Sequence, residues 1–209
     1  MKTHLLLAST LALSNAFILA SAPALADSKP AKADDKAALP NLAPVLADSA
    51  PFKVQMQGDK RLQSDGDWPF PYSANLWDSD AKGTVELVDF GGQKAIALRN
   101  TEGAPALQFY NWQNIKLPAG HRYTIHVKYA SEGNGNGALK IEGKNIKGSE
   151  SSLGVTGGKW KTLDVVLDQK DEGSLKMTVQ NRVVGVPNSL YLGALDILDN
   201  GDLPATLAK

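Results

Sequence analysis

Aromatic and amide side chains share one side of a short segment. In "ALQFYNWQNIKL" (residues 106–117), Leu107, Phe109, Ile115 and Leu117 fall on one face of an extended strand. Gln108, Tyr110, Trp112, Asn114 and Lys116 fall on the other. The first set is a core face. The second offers flat apolar rings with polar tips, set among neutral donors and acceptors. A sugar ring is the complementary ligand, because it presents C–H groups on its faces and hydroxyls at its edge. Gln180 and Arg182 in "SLKMTVQNR", with Asn181 between them, could add to that mixture, as could Asn111 and Gln113. The same two rings could instead cover a sheet edge or pack beneath the segment 27–51. A bulge at Asn111 would turn Trp112 into the core.

Other groupings carry less chemistry. "GDWPFPYSANLW" (66–77) holds Trp68, Phe70, Tyr72 and Trp77, with Pro69 and Pro71 excluding regular pairing in a central strand. Such a segment either plugs one end of a fold or flanks a cleft. "DSDAKGTVELVD" (78–89) places Asp78, Asp80, Gly83 and Asp89 at the spacing of a calcium loop. Lys82 stands where a ligand oxygen is needed, so a polar turn entering a strand is expected there, with no cofactor. "EGNGNGALKI" has glycines at 133, 135 and 137 but no following helix to hold a phosphate, so it reads as a hairpin. His121 and His126, five apart in one strand, point to opposite faces and cannot share a metal. Asp164 and Asp168 share a face without forming an evident catalytic pair. There is no Cys and no GxSxG nucleophile elbow. No catalytic residue is assigned.

The elements that must position these residues are strands. From Phe52 to about Leu198 the apolar period is two. "HRYTIHVKY" sets Tyr123, Ile125, Val127 and Tyr129 against Arg122, Thr124, His126 and Lys128. "KTLDVVLD", "SLKMTVQNR" and "SLYLGALDIL" repeat the pattern, with Gly- and Pro-rich turns between. The fold class expected is all-β, as two antiparallel sheets packed into a β-sandwich.

The first residues predict a destination. Lys2, the apolar stretch Leu5–Ala20 and small residues before Asp27 read as a cleaved signal peptide over 1–26. The protein is then exported, to the periplasm or beyond, with no membrane span. Residues 27–51, rich in Ala, Pro, Asp and Lys, read as a flexible linker whose "AALPNLAPVLA" could form a short helix or dock. The sandwich occupies 52–200, and 201–209 a tail. The chain has 22 basic and 22 acidic residues, and losing Lys2 with the leader leaves a net charge of −1. Nothing in that balance attracts nucleic acid. Without cysteine, no disulfide framework is possible, and the core must hold the fold.

Three stretches resemble a known family. "LPAGHRYTIHVKYAS" (117–131), "GKWKTLDVVLD" (158–168) and "SLYLGALDIL" (189–198) are similar to segments of the jelly-roll carbohydrate-binding modules that accompany xylanases and glucanases. The resemblance spans about residues 52–200. It implies a galactose-binding-like jelly roll that binds an oligo- or polysaccharide without catalysis. The family's last strand usually carries an Asp serving a structural calcium; Gly193 stands there, with Asp196 three residues on. Two other functions stay open: an envelope sandwich whose partner is a protein, and a glycan-active enzyme. The ligand-binding candidates are Gln108, Tyr110, Trp112, Gln180 and Arg182.

Overall fold

In a computed structural model, the period-two segments are strands. The structure describes residues 41–66, 68, 72–77, 79–102, 106–111, 113–134, 137–182, 188–204 and 206–207. One sheet has seven strands: β1 (Lys53–Gln57), β2 (Lys60–Asp65), β4 (Lys82–Phe90), β5 (Gln93–Glu102), β8 (His121–Glu132), β11 (Lys161–Gln169) and β13 (Ser189–Asp202). Their spatial order is β11-β8-β13-β5-β4-β1-β2. The second sheet holds β3 (Tyr72–Leu76), β6 (Leu107–Asn111), β9 (Gly137–Glu142), β10 (Ser149–Leu153) and β12 (Gly173–Asn181) in the order β10-β9-β12-β6-β3. A short β7 (Ile115–Leu117) also pairs with β12. The chain changes sheet at most connections, as in a jelly roll. The two-sheet antiparallel sandwich expected from the alternation is the fold found.

The core lies between the sheets because each strand offers it one apolar register. Val85, Ile96, Leu98, Ile125, Val127, Leu195 and Ile197 of the first sheet meet Leu107, Phe109, Leu139, Ile141, Met177 and Val179 of the second. The aromatic segment before β3 divides. Tyr72 stacks on Phe109 at 5.1 Å, and Trp68 packs against Phe52 and Phe109. Burial pushes the Tyr72 phenol far up, with the nearby Asp196 charge adding to it. Trp77, by contrast, is 69 % exposed. Residues 69–71 lie outside the described residues.

A helix, α1 (Leu42–Asp48), completes the core. Pro44 is tolerated in its first turn, and Leu42 and Leu46, one turn apart, are both buried. Their burial is worth about 2 kcal/mol each. The helix is placed by a split in the sheet. β13 pairs with β5 only over Leu190–Leu192. Beyond the split, Ile197 N–H donates to Asn41 Oδ1 (2.8 Å), and Ala43 N–H donates to Asp196 Oδ1 (3.2 Å). Lys94 Nζ caps the other end by donating to the Ala47 and Ser49 carbonyls. Of the two outcomes open for "AALPNLAPVLA", a short helix and docking, both occur over 42–48. Packed structure therefore starts before the boundary expected at 52. At the other end β13 runs to Asp202 and Leu203 is buried, past the boundary expected at 200.

The segment 106–117 is not one strand. Asn111 divides it and is buried. Its Oδ1 accepts from Met177 N–H (2.6 Å), and its Nδ2 donates to the Leu175 carbonyl (3.3 Å) and the Gln113 carbonyl (2.5 Å). A side-chain amide thus replaces backbone pairing to β12 across the break between β6 and β7. Asn111 is occupied structurally and offers nothing to a ligand. Asn181 is corrected in the same way. It is fully buried, donating Nδ2 to the Leu98 carbonyl of the opposite sheet, while Asn100 Nδ2 donates to the Asn181 carbonyl. Neighbours in a strand face opposite ways, so Gln180 and Arg182 cannot bring Asn181 with them.

Candidate functional site

Register places the candidate residues on the outer face of the second sheet. β6 and β12 pair Tyr110 with Thr178 and Gln108 with Gln180. β3 adds Ser73 beside Tyr110 and Asn75 beside Gln108. β9 continues these rows with Lys140 and Ala138, and β10 with Glu150 and Ser152. Directly opposed residues share a face, so two rows run across five strands: Ser73–Tyr110–Thr178–Lys140–Glu150 and Asn75–Gln108–Gln180–Ala138–Ser152. Ser73, Thr178 and Ala138 are buried, whereas Tyr110, Gln108 and Lys140 are partly exposed.

Four of the five candidates therefore come together. Trp112, the fifth, lies outside the described residues. Gln180 sits deepest, 2 % exposed, and serves as an anchor. Its Oε1 accepts from Arg182 Nε (2.9 Å) and from a terminal guanidinium nitrogen (2.5 Å). The other terminal nitrogen of Arg182 lies 2.8 Å from Glu150 Oε1. The Arg182 hydrogen bond holds the Glu150 carboxyl below its usual range, and the Arg182 and Lys140 charges add to it. The guanidinium is thus fixed between two strands with one orientation.

Tyr110 stacks on no other described aromatic ring; Lys176 Nζ lies 4.7 Å from its ring centroid. Asn75 Oδ1, shielded from solvent, finds no hydrogen-bond partner. Trp77 follows β3 in the same alternation as Ser73 and Asn75, and is exposed. The sequence groups it with Trp68 and Tyr72 in one aromatic segment; its phase relative to β3 is the signal that separates it from them.

The outer face of the seven-stranded sheet is built otherwise. Phe90 and Tyr191 stack at 3.8 Å, and Trp160 meets Phe90 edge-on at 5.6 Å. Alanines 95, 97 and 130 floor this cluster. Tyr191 O–H donates to Glu132 (2.5 Å), Arg99 pairs with Glu86, and Lys128 donates to Gln93 (2.5 Å). Asp168 is bound by Arg122 through two hydrogen bonds, and Asp164 lies 2.6 Å from His126 Nδ1. His121, on the opposite face of β8 from His126, contacts Asp199 at 3.0 Å. A groove of 460 Å³ runs between residues 145–149 and Val165–Gln169 of β11, and Asp168 is its acid. Among the described residues no three His, Asp or Glu side chains gather as metal ligands. Asp78 of the proposed calcium spacing lies outside them, and Lys82 pairs with Glu102 at 2.8 Å. No described helix is long and apolar enough to cross a membrane.

No protein-family model matches the chain, and no curated protein matches it. Solved structures overlap it in part. A family 61 carbohydrate-binding module in complex with β-1,4-galactotriose is 18 % identical, with a TM-score of 0.44, over 61 % of this chain and 86 % of that one. The xylan-binding CBM22-1 domain of a Paenibacillus barcinonensis protein is 10 % identical, TM-score 0.45, over 71 % and 99 %. A module of Cellvibrio mixtus lichenase 5A in complex with cellotriose is 18 % identical, TM-score 0.39, over 57 % and 88 %. The outer face's own geometry carries the functional reading.

Proposed function

We propose that the outer face of the second sheet binds an oligo- or polysaccharide without turning it over. One observation carries this reading. Tyr110, Gln108 and an oriented Arg182 share a face on which the tyrosine ring has no aromatic partner among the described residues. A pyranose can lay its C–H face on the ring and meet the amides and guanidinium with its hydroxyls. Gln180 acts beneath them, holding Arg182 in place. Trp112, two residues on from Tyr110, is assigned to the same side by sequence alternation alone. The leader expected at 1–26 would carry the domain out of the cytoplasm, where such ligands occur.

Calorimetric titration of the purified chain with xylo-, cello-, galacto- and uronate oligosaccharides tests the reading. Binding to at least one is expected, and Tyr110→Ala should weaken it about two- to tenfold, since one aromatic contact is worth about 0.5–1.5 kcal/mol. Trp112→Ala should do the same. The reading fails if no saccharide binds, or if both variants bind as the parent does.

A further inference from the structure

We infer that the saccharide bound on this face is anionic, carrying a carboxylate or sulfate that Lys176 and Lys116 engage. The inference rests on the saccharide-binding role proposed above and concerns which sugars are taken.

Lys176 occupies the place a sugar would use. It lies two residues from Thr178, the partner of Tyr110, and its ammonium rests over the Tyr110 ring. Glu142 stands directly opposite Lys176 in the β9–β12 register and would be its natural counterion. Glu142 is instead 2.6 Å from Lys140 Nζ. Arg182 takes the other carboxylate, Glu150. Lys116 of β7 pairs with Ser174, one step along β12 on the same face, and is exposed. Lys116 and Lys176 make no ion pair with any described residue. They are diagonal neighbours, close enough for one bound anion to reach both.

The face thus carries Lys116, Lys140, Lys176 and Arg182 against Glu142 and Glu150, an excess of positive charge beside Tyr110. A neutral pyranose must displace the ammonium from the ring and can return to it only neutral hydroxyl acceptors. An anionic pyranose offers the ammonium an oxyanion while its C–H face takes the ring. The exchange favours the charged sugar, because a cation over an exposed ring gains little, whereas two unpaired lysines attract a single anion. Lys176 therefore selects against neutral sugars as well as for charged ones.

The test titrates the full chain with an oligogalacturonate, a sulfated oligosaccharide and neutral cello- and xylo-oligosaccharides of equal length, at low and high salt. At least one anionic probe should bind tenfold or more tighter than either neutral one, with the advantage shrinking in high salt. The relative strength of the uronate and sulfate arms identifies the anion's source. Lys176→Gln should remove most of the advantage and leave neutral binding equal or stronger; Lys116→Gln should remove part. Lys140→Gln, whose cation is already paired, should cost less than either. Unfolding midpoints should be unchanged, which separates lost binding from lost fold. If neutral sugars bind as tightly as anionic ones, or anionic binding ignores Lys176→Gln, the inference is overturned while the saccharide-binding role stands. If no probe binds, both fall.

Discussion

The two outer faces carry similar residue types and use them in opposite ways. On the seven-stranded sheet, Phe90, Tyr191 and Trp160 spend their ring faces on one another, and carboxylates 86, 132, 164 and 168 each meet a described donor within the face. Trp160 Nε1, tucked against Gly91, is a buried polar atom there that lacks a partner among the described residues. On the six-stranded sheet, among the described residues, Tyr110 has only a lysine over its ring and two lysines lack a carboxylate. A face that satisfies itself is a second small core. A face with unspent groups is poised for a partner, because each unpaired group gains more from a ligand than from its neighbours.

Paired substitutions break or sharpen this contrast, and the largest effect separates the tyrosines. Tyr191 is 4 % exposed and bound on three sides, so Tyr191→Ala should cost about 3 kcal/mol in denaturant unfolding, as for other buried aromatic truncations. Tyr110→Ala removes a partly exposed ring and should stay within about 1 kcal/mol. Equal destabilisation by both would mean that Tyr110 is structural and the contrast is void.

A smaller effect tests how tightly the closed face is packed. Gly193 sits where β13 shifts register against β8, between Leu192 and Ala194. A Cβ there would lie 2.2 Å from Gln93 Nε2 and 3.2 Å from the Trp160 ring. This is a physical reason for glycine here: a side chain must push the Gln93 amide aside and press on the indole. Gly193→Ala should cost about 1 kcal/mol and alter Trp160 fluorescence. An unchanged spectrum would show the cluster to be looser than its ring contacts imply.

The contrast between faces was partly legible in the sequence. Alternation reports which residues leave the core, so the sandwich and the shared face of Gln108, Tyr110, Gln180 and Arg182 follow from counting by two. Counting cannot tell a residue's partner. Glu142 could pair with Lys140 on its own strand or with Lys176 opposite, and only the fold shows Lys140 taking it. Nor does it show that Asn111 substitutes a side chain for backbone pairing, because the Met177 N–H and Leu175 carbonyl it meets lie more than sixty residues away. The docked α1 was half hidden for the same reason. Its two leucines read as an apolar turn, but the split between β13 and β5 that receives them is tertiary.

The smallest effect compares the two arginine–carboxylate pairs. Arg122 holds Asp168 on the closed face, and Arg182 holds Glu150 on the open one. Each hydrogen bond holds its carboxyl below the usual range. A carboxyl lowered on folding adds stability that is present above its unfolded value and is lost as pH falls through the folded one. Both pairs should therefore contribute little at neutral pH, being solvent-exposed, and nothing in strong acid. Carboxyl carbon NMR should find Asp168 and Glu150 titrating below ordinary Asp and Glu. Arg182→Ala should return Glu150 toward the usual value and leave Asp168 unmoved, because the pairs lie on opposite sides of the sandwich. The same variant should weaken saccharide binding, whereas Arg122→Ala should not. Equal binding loss in both would shift the site away from the open face, since Arg122 can influence a ligand only on its own sheet.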